Sequence, residues 1–317
     1  MDDDLIERYL RRVEERYRRI AASITPAELH AHPEADLDDL FSPTGRGRGS
    51  ALFLGYYGRD GILEALRRYG LLDQVARTVG CPPESLTLRL DLDDPFHHVL
   101  RLEAGPHLLV ELRMHLQDHP SEARIPGATG FTCCEWLLLQ HPGRRFTPER
   151  PRLPGQLHPG LGIGAEVQTL LALLTERLGR HGLLAYPAFY HTAAMYAHRF
   201  RFVDPAAEGR FRALRRDGAS LPLDVVSWAV ELGCVCDAAG VPLEWQAREE
   251  MMPVSEAARA YLESPEYAAI REAVERCSLY RFDLALLARR RPVAEREAEA
   301  IGRRAYEAAR QAHSRGS

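Results

Sequence analysis

The chain has 317 residues, a length that fits one large domain or two fused ones. Its 41 lysines and arginines against 45 aspartates and glutamates give a formal net charge of −4, which argues against a nucleic-acid-binding protein. No apolar run reaches the roughly 20 residues that a membrane-spanning helix needs. The acidic start, Met-Asp-Asp-Asp, is unlike a signal peptide. These features predict a cytoplasmic protein that binds neither nucleic acid nor membrane.

The six cysteines are too few and too dispersed for a disulfide framework. Cys234 and Cys236 have one residue between them, whereas zinc-binding pairs usually have two or more, so we assign no metal there. A nucleophilic role for Cys133 or Cys134 stays an alternative, although the sequence shows no paired base. A further alternative is a metal ion bound by histidines, although their spacing matches no known ligand pattern. The candidate ligands are His97, His98, His115 and His119.

The first part of the chain predicts helices joined by a polar loop. Residues 4–20 place apolar side chains on one side of a helix and charged ones on the other. Thr25 and Glu28 have the spacing of a capping box at the start of the next helix. Residues 33–50 are rich in Asp, Pro, Gly and Ser, which indicates a loop. Residues 51–57 are apolar and predict a short strand, with helical periodicity after it.

Four strands are predicted next. Apolar and polar side chains alternate over residues 86–92, 99–103 and 108–116, which favours an antiparallel sheet with one buried face. The polar face fits either a solvated surface or one wall of a substrate cleft. Residues 133–140 are mostly apolar and predict a central strand.

The rest of the chain predicts further alternation of helices and strands. Asp204 reads as the N-cap of a helix that has proline at its first position. Helical signals dominate after Gly218, with one hairpin at 234–245. Before Asp204, the predicted elements are a helix at 165–178, a strand at 182–185, a helix at 191–198 and a strand at 200–203.

The glycines at positions 160, 162 and 164 lie between a predicted buried strand and a helix. Such a turn directs backbone N–H groups and the positive end of the helix dipole toward one point, which favours an anion site. The loop ends in Gly-Ile-Gly-Ala, without the Gly-Lys-Ser/Thr of a Walker loop. The strand at 182–185 is not followed by the acidic residue of a Rossmann dinucleotide site.

These elements together resemble the GNAT N-acetyltransferase fold family, in a diverged bacterial form. Residues 135–140, Glu-Trp-Leu-Leu-Leu-Gln, look like the central strand of that family, and residues 160–164 look like its coenzyme A pyrophosphate loop. Residues 191–200, His-Thr-Ala-Ala-Met-Tyr-Ala-His-Arg-Phe, resemble the helix bearing Asn-x-x-Ala-x-x-x-Tyr-x-x-x-Gly-Phe. The sequence departs from the pattern at Gln156, four residues before Gly160 rather than three, and in the long connection before it. His191 and Arg199 replace the family's Asn and Gly.

The resemblance implies an α/β fold with a GNAT-like mixed, largely antiparallel sheet flanked by helices. We expect an N-terminal helical segment at 1–44 and an acyl-CoA-binding domain at 45–217. Residues 218–317 are expected to form a mostly helical region with a short hairpin.

The implied activity is transfer of an acyl group, most simply acetyl, from acyl-CoA as co-substrate to a small-molecule or peptide amine, by direct attack in a ternary complex. Glu135 is the first candidate for the base, and His191 is the second. Tyr196 lies where the family's acid often stands. Backbone N–H groups of the central strand would polarise the thioester. Candidate coenzyme A contacts are Leu139, Gln156, Gly160, Leu161, Gly162, Ile163, Gly164 and Ala165.

Three other functions stay open on the sequence alone. The chain could be a non-catalytic acyl-CoA-binding or interaction module, in which Glu135, His191 and Tyr196 have structural roles. It could be a biosynthetic tailoring transferase whose carrier-bound or aminoacyl donor docks on the loop 141–158. A metal hydrolase is the third alternative. The apolar stripes of the terminal helices are compatible with a homodimer.

Overall fold

The computed structural model describes the backbone of residues 3–30 and 52–316, and the side chains of residues 7–30 and 52–304. The helices are α1 (Asp3–Ala21), α2 (Pro26–Leu29), α3 (Arg59–Arg68), α4 (Leu71–Val79), α5 (Gly164–Arg177), α6 (Tyr190–Tyr196), α7 (Pro205–Asp217), α8 (Leu223–Glu231), α9 (Glu256–Leu262), α10 (Pro265–Cys277) and α11 (Leu284–Gly316). The strands are β1 (Leu86–Asp91), β2 (His98–Ala104), β3 (His107–Gln117), β4 (Phe131–Leu139), β5 (Gly182–Ala185), β6 (Arg201–Phe202), β7 (Val235–Cys236), β8 (Glu250–Pro253) and β9 (Arg281–Phe282).

Seven of these strands form one mixed sheet in the order β1-β2-β3-β4-β5-β8-β6. β4 and β5 are parallel and are connected through α5, as a parallel crossover requires. Every other neighbouring pair in this sheet is antiparallel. The predicted class is confirmed: a mixed α/β protein with a mostly antiparallel sheet, flanking helices and a helical C-terminal part.

The C-terminal part contributes a strand to this sheet, contrary to the predicted boundary at residue 217. β8 pairs with β5 on one side and with β6 on the other, so residues 218–317 are not separate from the sheet. The predicted hairpin at 234–245 is reduced to a single bridge between Cys236 and Pro242. β7 pairs instead with β9, which comes much later in the chain.

The N-terminal helix is also part of the same body. α1 packs along α5, where Arg18 and Glu176 form an ion pair at 2.6 Å. The capping box at Thr25 and Glu28 is confirmed. The predicted strand at 51–57 is wrong over the described residues 52–57, which form a turn closed by one bridge. The predicted loop at 33–50 lies outside the described residues.

Both faces of the sheet are covered around β4 and β5. Because side chains alternate along a strand, Cys134 faces the core under α1, α3, α4 and α5, and Cys133 faces the core under α9. A third cluster joins α6, α7, α8 and α11 around Trp228 and Phe211. The middle of the sheet is therefore buried on both sides, which fixes the two parallel strands.

Candidate active site in the sheet

A cleft opens in the middle of the sheet, where β4 and β5 separate. β5 is bonded to β4 only where residues 183–185 meet residues 132–134. β4 continues to Leu139 beside β3. Residues 135–139 therefore form a strand edge with no partner from β5, and they line a cleft of about 2270 Å³. The backbone N–H and C=O groups of such an edge can bond an extended, amide-containing ligand.

The separation of the two strands has a local cause. β5 ends at Ala185, and Pro187 follows two residues later without an N–H to donate. The Pro187 carbonyl accepts a hydrogen bond from the Trp245 indole N–H at 3.0 Å. The chain after β5 is therefore bonded to Trp245, and the edge of β4 is left open.

The long connection after β4, residues 141–159, is an excursion from the sheet whose two ends are hydrogen-bonded to each other. The His141 N–H donates to the Pro159 carbonyl at 2.7 Å, so the glycine loop begins beside the end of β4. The excursion packs on the C-terminal part, where the Trp228 indole N–H donates to the Arg152 carbonyl at 2.8 Å. The Arg152 guanidinium lies 4.2 Å from the centre of the Phe146 ring. The extra residues thus leave the strand-to-loop connection intact and form one wall of the cleft.

Glycine occurs at the three positions of the loop for different structural reasons. Gly162 has a φ of +77°, a left-handed conformation that side chains rarely adopt. Gly160 and Gly164 have no such constraint. A Cβ at Gly164 would meet no atom within 4 Å, and one at Gly160 would meet only the Leu139 carbonyl at 3.6 Å. Because both residues line the cleft, their lack of side chains keeps it open.

The N-terminus of α5 is available to the cleft. Its N-cap, Ile163, is fully buried in the core and provides no side-chain hydrogen bond to the first turn. The first N–H groups of a helix have no intrahelical acceptor, and they carry the positive end of its dipole. Of the predicted coenzyme A contacts, only Ile163 does not line the cleft; Leu139, Gln156, Gly160, Leu161, Gly162, Gly164 and Ala165 do.

The first turn of α5 also carries a buried carboxylate. Glu166, in the first turn of α5, is 3% exposed and does not line the cleft. It accepts hydrogen bonds from the Tyr9 hydroxyl at 2.6 Å and from the Gln74 amide at 3.2 Å. Burial and then this hydrogen bond raise the pKa of Tyr9 to about 12, so its hydroxyl remains a donor at neutral pH.

Tyr196 and His191 both lie on α6 and line the cleft, but their environments differ. Burial raises the pKa of Tyr196, so the hydroxyl keeps its proton at neutral pH. The His191 ring is stacked on Phe189 with centroids 5.4 Å apart, and its Nδ1 has no hydrogen-bond partner. Burial lowers the pKa of His191 to about 4. The His191 ring is therefore neutral at pH 7 and accepts a proton poorly there.

Glu135 is the extra residue of a β-bulge. Met114 on β3 is opposite Cys134, but Arg113 is opposite Trp136, so Glu135 has no partner residue in the ladder. Bulges redirect side chains and are frequent near active sites. Here the bulge places the Glu135 carboxylate on the polar face of the sheet, at the edge of the cleft.

Two histidines contact this carboxylate. His97 Nδ1 lies 2.9 Å and His115 Nδ1 lies 3.2 Å from Glu135 Oε1. Among the described residues, these three side chains are the one group placed to share a metal ion. Of the four histidines considered from the sequence, His98 and His119 do not belong to it. His98 is buried, and its Nδ1 accepts a backbone N–H at 2.7 Å.

The cysteines do not have the surroundings of reactive thiolates. Burial raises the pKa of Cys133, and it raises the pKa of Cys134 to about 12. A neutral, buried thiol is a poor nucleophile. Cys234 and Cys236 do not belong to a group of metal ligands among the residues that the structure describes.

Two buried carboxylates beside the cleft were missed from the sequence. Glu249 is fully buried and accepts hydrogen bonds from the Tyr186 hydroxyl at 2.7 Å, the Glu122 N–H at 3.2 Å and the Gln117 amide at 3.4 Å. Next to it, Glu250 is 2% exposed and its Oε1 has no partner. In the sequence both resemble a solvated acidic run, and no periodic signal marks the strand that buries them.

Glu250 is opposite Ala185 of β5, which lines the cleft. Burial, and then the nearby Glu208, raise the pKa of Glu250 well above its ordinary value. The fold therefore favours the protonated form of the Glu250 side chain. A buried carboxyl with a raised pKa is thus held one strand away from the opening between β4 and β5.

No protein-family model matches the sequence, and no curated protein matches it. In the part of the chain that the structure describes, none of the helices combines the length and the apolar character needed to cross a bilayer.

Proposed function

We propose that the protein is an acyl-CoA-dependent N-acyltransferase of the GNAT type, which transfers an acyl group, most simply acetyl, to an amine. One observation carries the proposal. The edge of β4 that has no partner from β5 leads, through a glycine loop, to a helix N-terminus without a side-chain cap. One cleft therefore contains a strand edge that can hydrogen-bond amides and a helix N-terminus that can bind phosphate.

Coenzyme A has chemical groups for both ends of this cleft. Its pantetheine arm contains two amides, which can bond the backbone of residues 135–139 as an added strand would. Its pyrophosphate fits the N–H groups at Gly164 and Ala165. The exposed guanidinium groups of Arg12 and Arg215 line the same cleft and complement phosphate charge.

In the proposed reaction, the amine nitrogen attacks the thioester carbonyl while both substrates are bound. A C–N bond forms, the C–S bond breaks, and the proton lost by the amine goes to Glu135. The leaving thiolate takes a proton from Tyr196. Backbone N–H groups on the edge of β4 would stabilise the oxyanion.

The positions of the two groups support this division of roles. Glu135 faces the side of β4 that His115 occupies, whereas Tyr196 packs against the core on the side of Cys134. A base and an acid on opposite faces of the strand can serve an attacking group and a leaving group that approach from opposite sides. Since neither Cys133 nor Cys134 is an activated nucleophile, direct attack is favoured over an acyl-enzyme.

The test is binding of acetyl-CoA to Gly164→Glu and Gly164→Gln, which differ mainly in charge. Gly164 needs no left-handed backbone and has room for a side chain, so both variants are expected to fold. Two like charges 4 Å apart near a surface repel by roughly 4 kcal/mol, so a glutamate beside the pyrophosphate should weaken binding at least about tenfold. The glutamine variant should bind distinctly more tightly than the glutamate variant.

The measurements are calorimetric titration and thermal unfolding with acetyl-CoA. A ligand at 100 times its dissociation constant adds about 2.7 kcal/mol to the free energy of unfolding. Equal affinities in the two variants would place the phosphates elsewhere. Absence of acetyl-CoA binding by the wild type at millimolar concentration would overturn the proposal.

A further inference from the structure

The cluster of His97, His115 and Glu135 has the geometry of a metal site. One ligating atom from each residue lies within 4.8 Å of the others, and both histidines face the carboxylate with Nδ1. Tetrahedral Zn²⁺ with bonds of about 2.0–2.1 Å has ligand atoms about 3.4 Å apart. The two N···O separations, 2.9 and 3.2 Å, are close to that spacing. Small side-chain movements would therefore admit an ion.

The hydrogen bonds of Gln117 fix the tautomer of one of these histidines. Its amide nitrogen faces the His119 carbonyl at 2.5 Å and the Glu249 carboxylate at 3.4 Å, and both are acceptors. The amide oxygen is therefore the atom that lies 3.2 Å from His115 Nε2. Because that oxygen only accepts, Nε2 must carry a proton.

This tautomer leaves His115 Nδ1 with a lone pair in the neutral ring. Nδ1 is buried, makes no hydrogen bond in the structure, and lies 3.2 Å from a Glu135 carboxylate oxygen. Two acceptors facing each other at this distance repel unless a proton or a metal ion lies between them. A metal-bound histidine typically donates its other ring N–H to a fixed acceptor, which is the role of Gln117 here.

We propose that His97, His115 and Glu135 form a binding site for a divalent transition-metal ion, with Zn²⁺ as the ion to test. Two imidazoles and one carboxylate are a common ligand set for Zn²⁺, and three protein ligands leave a coordination position open. Glu135 lines the cleft, so that position can be reached by water or by a substrate.

The metal site does not depend on the proposed transferase activity. The glycine loop and α5 contribute nothing to the cluster, so an ion can bind whether or not coenzyme A does. If both proposals hold, the ion binds the same Glu135 carboxylate that accepts the proton from the amine. Bound Zn²⁺ then blocks the base and inhibits acyl transfer.

The test is Zn²⁺ binding to the full chain after treatment with a chelator. Calorimetric titration and elemental analysis should give one ion per wild-type chain. His97→Ala and His115→Ala should each abolish this binding at the same Zn²⁺ concentration. Gln117 contacts His115 and is not itself a ligand, so Gln117→Leu should weaken Zn²⁺ binding about 10- to 100-fold. His30→Ala removes an exposed histidine outside the cluster and should bind as the wild type does.

Substitution of Co²⁺ gives a second readout. A His₂Glu site gives d–d absorption without a thiolate-to-cobalt charge-transfer band, whereas a cysteine site gives that band. The inference is overturned if the wild type binds no Zn²⁺, in which case a proton shared by His115 and Glu135 accounts for the cluster. It is also overturned if both histidine variants bind like the wild type, or if the thiolate band appears. Gly164→Glu should keep Zn²⁺ binding, which separates the two proposals.

Discussion

The two halves of the seven-stranded sheet differ in whether their ionisable side chains are exposed to water or buried. On the β1–β4 side, charged residues lie on a face that water reaches, and they pair across strands. Arg101 and Glu111, for example, are 2.7 Å apart. On the β5, β8 and β6 side, the strands have only four, four and two residues. Glu249 and Glu250 are buried there, as is His191 on the neighbouring α6.

This difference assigns different chemistry to similar residues. Glu135 lies at the edge of the cleft, where its carboxylate can reach a bound substrate, which suits it as a base. The pKa of a carboxyl such as Glu250, held in the core, is raised because the charged form is poorly solvated there. The cleft lies between these two environments, so its two sides should respond differently to substitution and to pH.

Loss of the Glu135 carboxylate should have the largest effect. We expect Glu135→Gln to lower kcat/KM for acyl transfer by about 10²- to 10⁴-fold, the usual contribution of a general base. The free energy of unfolding should change by no more than about 3 kcal/mol, because the side chain is partly exposed and contacts only His97 and His115 through its carboxylate. The measurement is release of coenzyme A thiol across a panel of amines, with chelator present.

The matched control is Glu111→Gln, which removes a carboxylate from the same polar face without touching the cleft. It should change kcat/KM by only a few-fold. If Glu135→Gln has full activity, Glu135 is not the base. If the wild type binds acetyl-CoA but transfers its acyl group to no amine in the panel, the non-catalytic binding module becomes the better interpretation.

The sequence predicted the β1–β4 half well because its strands are long and one face is wet. Alternation of apolar and polar side chains over residues 108–116 is then visible in one dimension. β8 is short and buried on both faces, so Glu250–Pro253 has no such alternation. The run Arg248-Glu249-Glu250, which leads into this strand, looks solvated in the sequence, and the tertiary contacts that bury its two carboxylates are not local.

The same distinction applies to the cleft. The glycine loop was predictable because the turn and the helix follow one another directly in the chain, and Gly162 needs its left-handed backbone for a local reason. The contact among His97, His115 and Glu135 was not, because it depends on a one-residue bulge between β3 and β4. A bulge changes which side chains share a face, and the sequence carries no clear signal for it.

The buried ionisable groups on the β5, β8 and β6 side should make the free energy of unfolding depend on pH. Burial lowers the pKa of His191 from an ordinary 6.5 to about 4. Between these values the unfolded chain binds a proton that the folded chain does not, so stability is full above pH 6.5 and falls as the pH approaches 4. The loss is on the order of 3 kcal/mol. In urea unfolding at several pH values, His191→Gln should lack this part of the dependence, whereas His198→Gln, which changes an exposed histidine, should keep it.

The last expected effect has the opposite sign. Because burial and Glu208 raise the pKa of Glu250, the folded protein holds a proton that the unfolded chain loses above about pH 4.5. The corresponding stability is present below that pH and declines as the pH rises. Glu250→Gln resembles the neutral acid and cannot ionise. The variant should therefore become more stable relative to the wild type between pH 5 and pH 8 in urea unfolding.

Glu249→Gln provides the contrast at the neighbouring position. Glu249 accepts hydrogen bonds from Tyr186, Glu122 and Gln117, and an amide offers fewer acceptor sites. This variant should therefore be destabilised at pH 8, where Glu250→Gln gains relative to the wild type. A difference between Glu250→Gln and the wild type that does not change with pH would mean that Glu250 ionises in the fold. The two halves of the sheet would then not differ in the way proposed, and Glu250 would join Glu135 as a candidate base.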